Sequence, residues 1–288
     1  MPADLSSALA QARTLLFVPG NRPERFDKAV QSGADAVVLD LEDAVPASAK
    51  AEARDAIGAA WPGLQAGAVP LVLRINALGQ ASASEDLAWL DTLGRTAAPA
   101  GVIVPKAESA AALQGLVQRF PGTALLPLIE SAAGYAALHD LAGAPGVLRL
   151  LVGHLDFMAD TGLQCSDDET ELAPLRFAVA MATRLQRLAP AVDGVTVAID
   201  DAPRLRQDTQ RALRFGFGGK LCIHPRQVAT VHEVMSPSAD ELAWARRVIA
   251  ADAAAAGAAV QLDGRMVDAP VVLQARRTLA RAGASPQG

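Results

Sequence analysis

Short apolar runs alternate with longer amphipathic stretches from Thr14 to about Met235. Runs of four to six apolar residues, each bounded by polar or turn-forming residues, are the pattern of strands in a parallel sheet buried on both faces. Eight such strands are expected, at Leu15–Val18, Ala36–Leu41, Leu71–Ile75, Gly101–Val104, Ala124–Ile129, Leu148–Val152, Gly194–Ile199 and Lys220–Ile223. Each precedes residues able to form a helix, so the chain reads as eight successive βα units. Nothing in their order reverses the topology, which favours a closed (β/α)8 barrel over an open doubly wound sheet. Two more helical stretches follow, about Ala239–Ala256 and Val271–Ala282, joined by a turn-rich segment containing Asp263 to Asp268. The expected organisation is a flexible tail over residues 1–12, a catalytic barrel over 13–260 and a C-terminal helical extension over 261–288. The last five residues, 284–288, are small and polar and are expected to be poorly ordered, like the tail.

Composition narrows the function more than the fold. The chain has 288 residues, 51% of them hydrophobic, and a net charge of -5. It can bury a large core, and without a Lys/Arg cluster it does not suit a nucleic-acid partner. Cys165 and Cys222 stand far apart and give no disulfide framework. No apolar run approaches the roughly 20 residues of a membrane span, so a cytoplasmic, non-membrane protein is expected.

In a barrel of this kind the active site forms where the strands end, which makes the polar residue after each apolar run a candidate. That filter selects Pro19, Asn21 and Arg22 after strand one, Asp40, Glu42 and Asp43 after strand two, and Arg74 with Asn76 at strand three. It then selects Lys106, Glu130, Asp156, Asp200 with Asp201, and His224 after strands four to eight. Carboxylates at so many strand ends are expensive to bury unless partners or a metal compensate them. Glu130 and Asp156, hard oxygen donors on adjacent strands, suit Mg2+, with Mn2+ as the other candidate. Arg74 offers a planar fork for a carboxylate or a developing oxyanion, or an ion pair with Glu42 or Asp43. Lys106 reads as a neutralising partner of these acids rather than a Schiff-base lysine. His224 precedes Pro225 and reads as a structural cap, and Cys222 as packing.

At these residues the chain resembles the HpcH/HpaI aldolase and citrate lyase β-subunit superfamily, in its CoA-ester lyase branch. The carrying segments are Arg13 to Asn21, Asp40 to Val45, Leu73 to Asn76, Val104 to Lys106, Ile129 to Ser131, Gly153 to Phe157 and Gly219 to Gln227. The resemblance implies a TIM barrel that is trimeric or a multiple of three and binds Mg2+ through Glu130 and Asp156. It implies that Arg74 contacts substrate and stabilises an enolate, with Glu42, Asp43 and Lys106 as a supporting charge network. It assigns the first loop, Pro19, Asn21 and Arg22, together with Lys220 and His224, to coenzyme A, which enters as part of the substrate. It makes the C-terminal extension a lid whose Asp268 reaches a neighbouring subunit's site. One departure stands out: many members carry Glu directly before the metal-binding Asp, where this chain has Leu155.

The expected activity is Mg2+-dependent carbon–carbon cleavage, or the reverse, of a 3-hydroxyacyl-CoA thioester such as citryl-CoA or malyl-CoA, giving an acyl-CoA and a 2-oxoacid. The alternatives are a metal-dependent pyruvate-type aldolase on free 2-oxoacids, a carrier-protein-dependent citrate lyase β subunit, and an acyl-CoA thioesterase. Asp43, Asp268 and a metal-bound water are the candidate bases.

Overall fold

The computed structural model describes residues 5–93 and 98–283. Eight parallel strands close into a barrel in chain order: β1 (Thr14–Pro19), β2 (Ala36–Asp40), β3 (Leu71–Arg74), β4 (Gly101–Val104), β5 (Ala124–Ile129), β6 (Leu151–Val152), β7 (Val192–Asp193) and β8 (Gly219–Cys222). Closure is made by β8 returning to β1, where Thr14 pairs with Lys220 and Leu16 with Cys222. The barrel interior is filled by Leu15, Ala36, Val38, Val72, Ile103, Leu126, Leu128, Leu151, Val192 and Leu221, all buried.

Strand side chains alternate between faces, so this inward set fixes where every other residue points. Val38 inward puts Asp40 inward at the upper rim of β2, and Val72 and Leu128 do the same for Arg74 and, one step beyond β5, Glu130. Val192 and Leu221 inward instead turn Asp193 and Lys220 outward, behind the barrel wall.

Two expectations are corrected on the barrel. The seventh strand is Val192–Asp193, not Gly194–Ile199. Val197 and Ile199 are exposed, at 62% and 40%, so the Val-rich run that imitates a strand is a loop at the rim. Residues 5–11 of the expected flexible tail form a helix, Leu5–Gln11, whose Leu9 is fully buried in the barrel core. Arg149, also fully buried, holds it there by donating to the carbonyls of Leu9 and Ala12, at 3.0 and 2.6 Å. A cation at those carbonyls neutralises a helix C-terminus. A side chain at Gly219 would meet the Ala12 carbonyl at 2.8 Å and Arg149 at 2.9 Å, so glycine is required where this floor packs against β8. The expected order of 1–4 and 284–288 concerns residues outside those described.

The described residues divide into two compact units between His232 and Glu233, rather than at residue 260. The second unit contains the helices Ala239–Ala254 and Ala269–Gly283 and the antiparallel hairpin β9 (Val260–Leu262) and β10 (Arg265–Val267). Ala245, Val248, Val267, Val272 and Ala275 form its own core, which is why the helix Ala239–Ala254 belongs with the hairpin. Asp263 and Gly264 turn the hairpin with φ of 49° and 77°, the geometry of a tight primed turn. No helix among the described residues is long and apolar enough to cross a membrane.

Candidate active site

At the C-terminal mouth of the barrel a cavity of about 180 Å³ is floored by Leu128, Val152 and Leu221 and faced by Asp40, Arg74, Glu130 and Asp156. Asp40 ends β2 with its side chain wholly buried and grips Arg74 through both oxygens. Arg74 Nε donates to Oδ1 at 2.7 Å and Nη2 to Oδ2 at 2.6 Å. The backbone N–H groups of Glu42 and Ala44 donate to the same carboxylate, so the turn after β2 and the arginine lock each other. Arg74 Nη1 lies 2.7 Å from Glu42, and its guanidinium stacks over the Phe17 ring at 4.8 Å. Burial alone would lower the basicity of Arg74, but its bonds and proximity to Asp40 outweigh burial and hold it above its ordinary value. It is a permanent cation in a fixed orientation, and with two of its five N–H groups bonded to Asp40 it keeps others to offer to a ligand.

Glu130 follows β5. Its Oε1 accepts the backbone N–H of Lys106 at 2.7 Å. Lys106 adopts φ of 45°, a left-handed conformation that costs a non-glycine residue about 1 kcal/mol or more and that here aims its N–H at the carboxylate. The other oxygen lies over Gly153, where a Cβ would sit 2.4 Å from Oε2, so a bare glycine makes the cradle for this carboxylate. Burial, then the nearby negative charge of Glu42 and Asp156, pushes the Glu130 carboxyl up to about 8. Asp156 lies in the first turn of the helix His154–Thr161, where the helix dipole favours an anion. Glu42 is likewise pushed up, to about 7, mainly by burial, although Arg74 and the Lys106 ammonium at 3.6 Å oppose it. Two oxygen donors, one in a glycine cradle, surrounded by acids that their own cations do not neutralise, fit a hard divalent cation that takes its other ligands from water and substrate. Among the described residues there is no group of three or more His, Cys, Asp or Glu that could hold a metal ion.

The family-model comparison agrees with this geometry: the HpcH/HpaI aldolase/citrate lyase model matches residues 13–225. The chain belongs to the HpcH/HpaI aldolase/citrate lyase family. A citrate lyase subunit beta-like protein of Deinococcus radiodurans is 38% identical over 281 residues, covering 94% of this chain and 97% of the relative. A (3S)-malyl-CoA thioesterase of Cereibacter sphaeroides is 31% identical over 276 residues, 94% of this chain and 95% of the relative. Among solved structures, the CitE protein of Mycobacterium tuberculosis, in complex with magnesium, acetoacetate and coenzyme A, superposes with a TM-score of 0.80 at 34% identity, over 95% of this chain and 99% of that one.

In this citrate lyase family member the barrel mouth brings together Glu42, Arg74, Lys106, Glu130 and Asp156, as the strand-end filter expected. Asp40 passed that filter without a role, and the structure makes it the two-oxygen anchor of Arg74, beside the expected ion pair with Glu42. Asp43 is exposed. Asp200 and Asp201 lie beyond the exposed loop that replaces the expected seventh strand. Asp200 pairs with Arg226 at the surface and Asp201 caps the helix Ala202–Arg214. Lys220 corrects its expectation most clearly. It is 1% exposed, faces outward from β8 behind the wall, and donates to the Gly194 carbonyl at 2.7 Å, so it presents nothing to a nucleotide. His224 is half-buried, and its Nδ1 accepts the Arg226 N–H at 3.2 Å, as a turn cap does. In the first loop Pro19 and Asn21 are half-buried, while Arg22 is exposed and bonded to Glu24 at 2.6 Å. Asp268 belongs to the second unit, where it accepts the Val271 N–H at the start of the last helix. Cys222 is fully buried, and burial pushes its thiol up to about 12, which suits packing and not nucleophilic chemistry.

The sequence reading missed a second charge network between β7, β8 and the helices outside them. Glu169 accepts from Arg176, Arg204 and Arg211 at 2.6 to 3.0 Å, Arg176 also bonds Asp193 at 3.1 Å, and Asp208 takes Arg204, Arg211 and the Thr196 hydroxyl. Its one sequence signal was Asp193, a carboxylate set beside the buried Ala191 and Val192.

Proposed function

We propose that this chain is a divalent-metal-dependent carbon–carbon lyase that cleaves 3-hydroxyacyl-CoA thioesters to an acyl-CoA and a 2-oxoacid, with Glu130 and Asp156 holding Mg2+. The observation that carries the reading is the unneutralised acid pair in the cavity opposite a locked, permanently charged arginine. The magnesium, acetoacetate and coenzyme A in the Mycobacterium tuberculosis relative support it.

Cleavage removes the proton of the C3 hydroxyl to a base, forms the C3 carbonyl, and breaks the C2–C3 bond. The bond's electron pair passes into the thioester as an enolate, which then takes a proton at C2. Arg74 is placed to hold the enolate oxygen through its remaining N–H groups, a fixed donor aimed at charge that develops only in the transition state. Asp40 keeps the guanidinium from rotating away, Phe17 supports its face, and the apolar floor keeps water from quenching the enolate. A bound divalent cation supplies Lewis-acid polarisation of the forming 2-oxoacid carbonyl.

The deciding experiment follows 2-oxoacid release from a panel of 3-hydroxyacyl-CoA thioesters, with Mg2+ and with chelator. Chelator-sensitive release supports the lyase. Release of free thiol without 2-oxoacid would replace it with thioester hydrolysis, the activity in the name of the Cereibacter sphaeroides relative.

A further inference from the structure

The lining of the cavity divides in its chemistry. Its charged groups are Asp40, Glu130, Asp156 and Arg74, and Arg74 is the only lysine or arginine lining it among the described residues. That cation is already bonded to Asp40 and paired with Glu42. An aliphatic wall is made by Leu155 on the helix that carries Asp156, Val195 in the loop after β7, and Ile223 after β8, with buried His154 next to Leu155 in the lining. Leu155 and Ile223 are 39% and 36% exposed, so a substantial part of each stands uncovered. Apolar surface lining a catalytic cavity is covered by the substrate when it binds.

We infer that the wall of Leu155, Val195 and Ile223 selects 3-hydroxyacyl thioesters whose C3 carries, besides its one carboxylate, hydrogen or a small alkyl group and not a second carboxylate. The inference rests on the lyase reading, in which the C3 oxygen, and with it the carboxylate on the same carbon, would lie at the cation held by Glu130 and Asp156. A second carboxylate would then lie either against aliphatic carbon or among three carboxylates, where Arg74 is already taken by Asp40 and Glu42, and Lys106 is paired with Glu42. An unpaired buried charge is rejected far more strongly than a missing or added methyl group. The released 2-oxoacid would accordingly be monocarboxylic.

The test compares kcat/KM of the full chain with Mg2+ on three CoA thioesters that differ only at C3, where hydrogen, methyl or carboxymethyl accompanies the hydroxyl and carboxylate. The hydrogen and methyl compounds should exceed the carboxymethyl one by at least about 100-fold. Leu155→Arg should raise kcat/KM on the carboxymethyl compound and lower it on the methyl one, chiefly through KM, and Leu155→Met should keep the wild-type order. Similar kcat/KM on all three, or an unchanged ratio in Leu155→Arg, overturns the inference and leaves the lyase standing. No turnover of any of the three by folded protein overturns the lyase reading and the inference with it.

Discussion

Two charge networks lie close together on the barrel and solve opposite problems. Inside the mouth, Asp40, Glu42, Glu130 and Asp156 share the space with Arg74 and Lys106 as their cations among the described residues. Behind the wall, Glu169, Asp193 and Asp208 are matched by Arg176, Arg204, Arg211 and Lys220. The carboxyl values follow. Glu42 and Glu130 rise to about 7 and about 8, whereas fully buried Asp193 is brought below its ordinary value because Lys220 and Arg176 outweigh burial. The protein can neutralise buried acids at this end of the barrel and does so one layer out. An excess of acid left at the mouth therefore marks a place where the missing positive charge comes from a ligand.

The largest effect should come from removing the excess. Glu130→Gln keeps an acceptor for the Lys106 N–H but deletes the charge, and Asp156→Asn does the same for its partner. Each should cut turnover by more than about 1000-fold, about 4 kcal/mol of barrier at 1.36 kcal/mol per tenfold. The same Glu130→Gln protein should melt higher than wild type in chelator and lose the upward shift in melting temperature that Mg2+ gives wild type. A variant that keeps the Mg2+ shift would remove Glu130 from the metal site.

The matched network should answer in stability and not in chemistry. Arg176→Ala strips Asp193 and Glu169 of a buried partner that they share and should cost about 3 to 5 kcal/mol by denaturant unfolding. If Arg176→Ala instead keeps wild-type stability and abolishes turnover, the network is part of the site.

The contrast also explains what was legible in the sequence. Acids of the mouth follow apolar runs long enough to show a strand, Glu42 and Glu130 directly and Asp156 four residues on, so they could be picked out one by one. The outer network hangs on Arg176, Arg204 and Arg211, which lie within amphipathic helices and look like solvated residues there. Strand seven failed for a related reason. Its real segment contains a buried charge, Asp193, whereas its imitation, Gly194–Ile199, is mostly apolar but exposed over Val197 to Ile199. The N-terminal helix was hidden because its only buried residue is Leu9 and its anchor, Arg149, lies more than a hundred residues away. Strand parity, which separates Asp40 from Lys220, becomes readable only when register is known.

An intermediate effect should come from loosening the cation without changing the charge balance. Arg74→Lys retains the charge and loses the fork that Asp40 holds, and should lower kcat by about 100-fold. Asp40→Asn should cost about tenfold, in kcat more than KM, because it frees the guanidinium to turn while leaving substrate contacts in place. Wild-type kcat in Arg74→Lys would reduce the arginine to an ion-pair partner.

The subtlest difference between the networks is the sign of their pH dependence. Glu130, raised from 4.5 to about 8, binds its proton more tightly in the folded chain than in the unfolded one. Folding stability of the chelated protein should therefore fall as pH rises from about 4.5 towards 8, with Glu42 adding to the slope up to about 7. Asp193 acts oppositely. Held below its ordinary 3.8, it contributes stability that is present above that value and lost as pH falls beneath it. Denaturant unfolding in chelator should thus show stability declining on both sides of a maximum near pH 4 to 5. Glu130→Gln should flatten the upper limb and leave the lower one, and saturating Mg2+ should flatten the upper limb in wild type, because the cation supplies the charge that protonation otherwise supplies. An upper limb of equal slope in wild type and Glu130→Gln would mean that the mouth is no more acid-rich than the matched layer behind it, and the comparison would fail at its root.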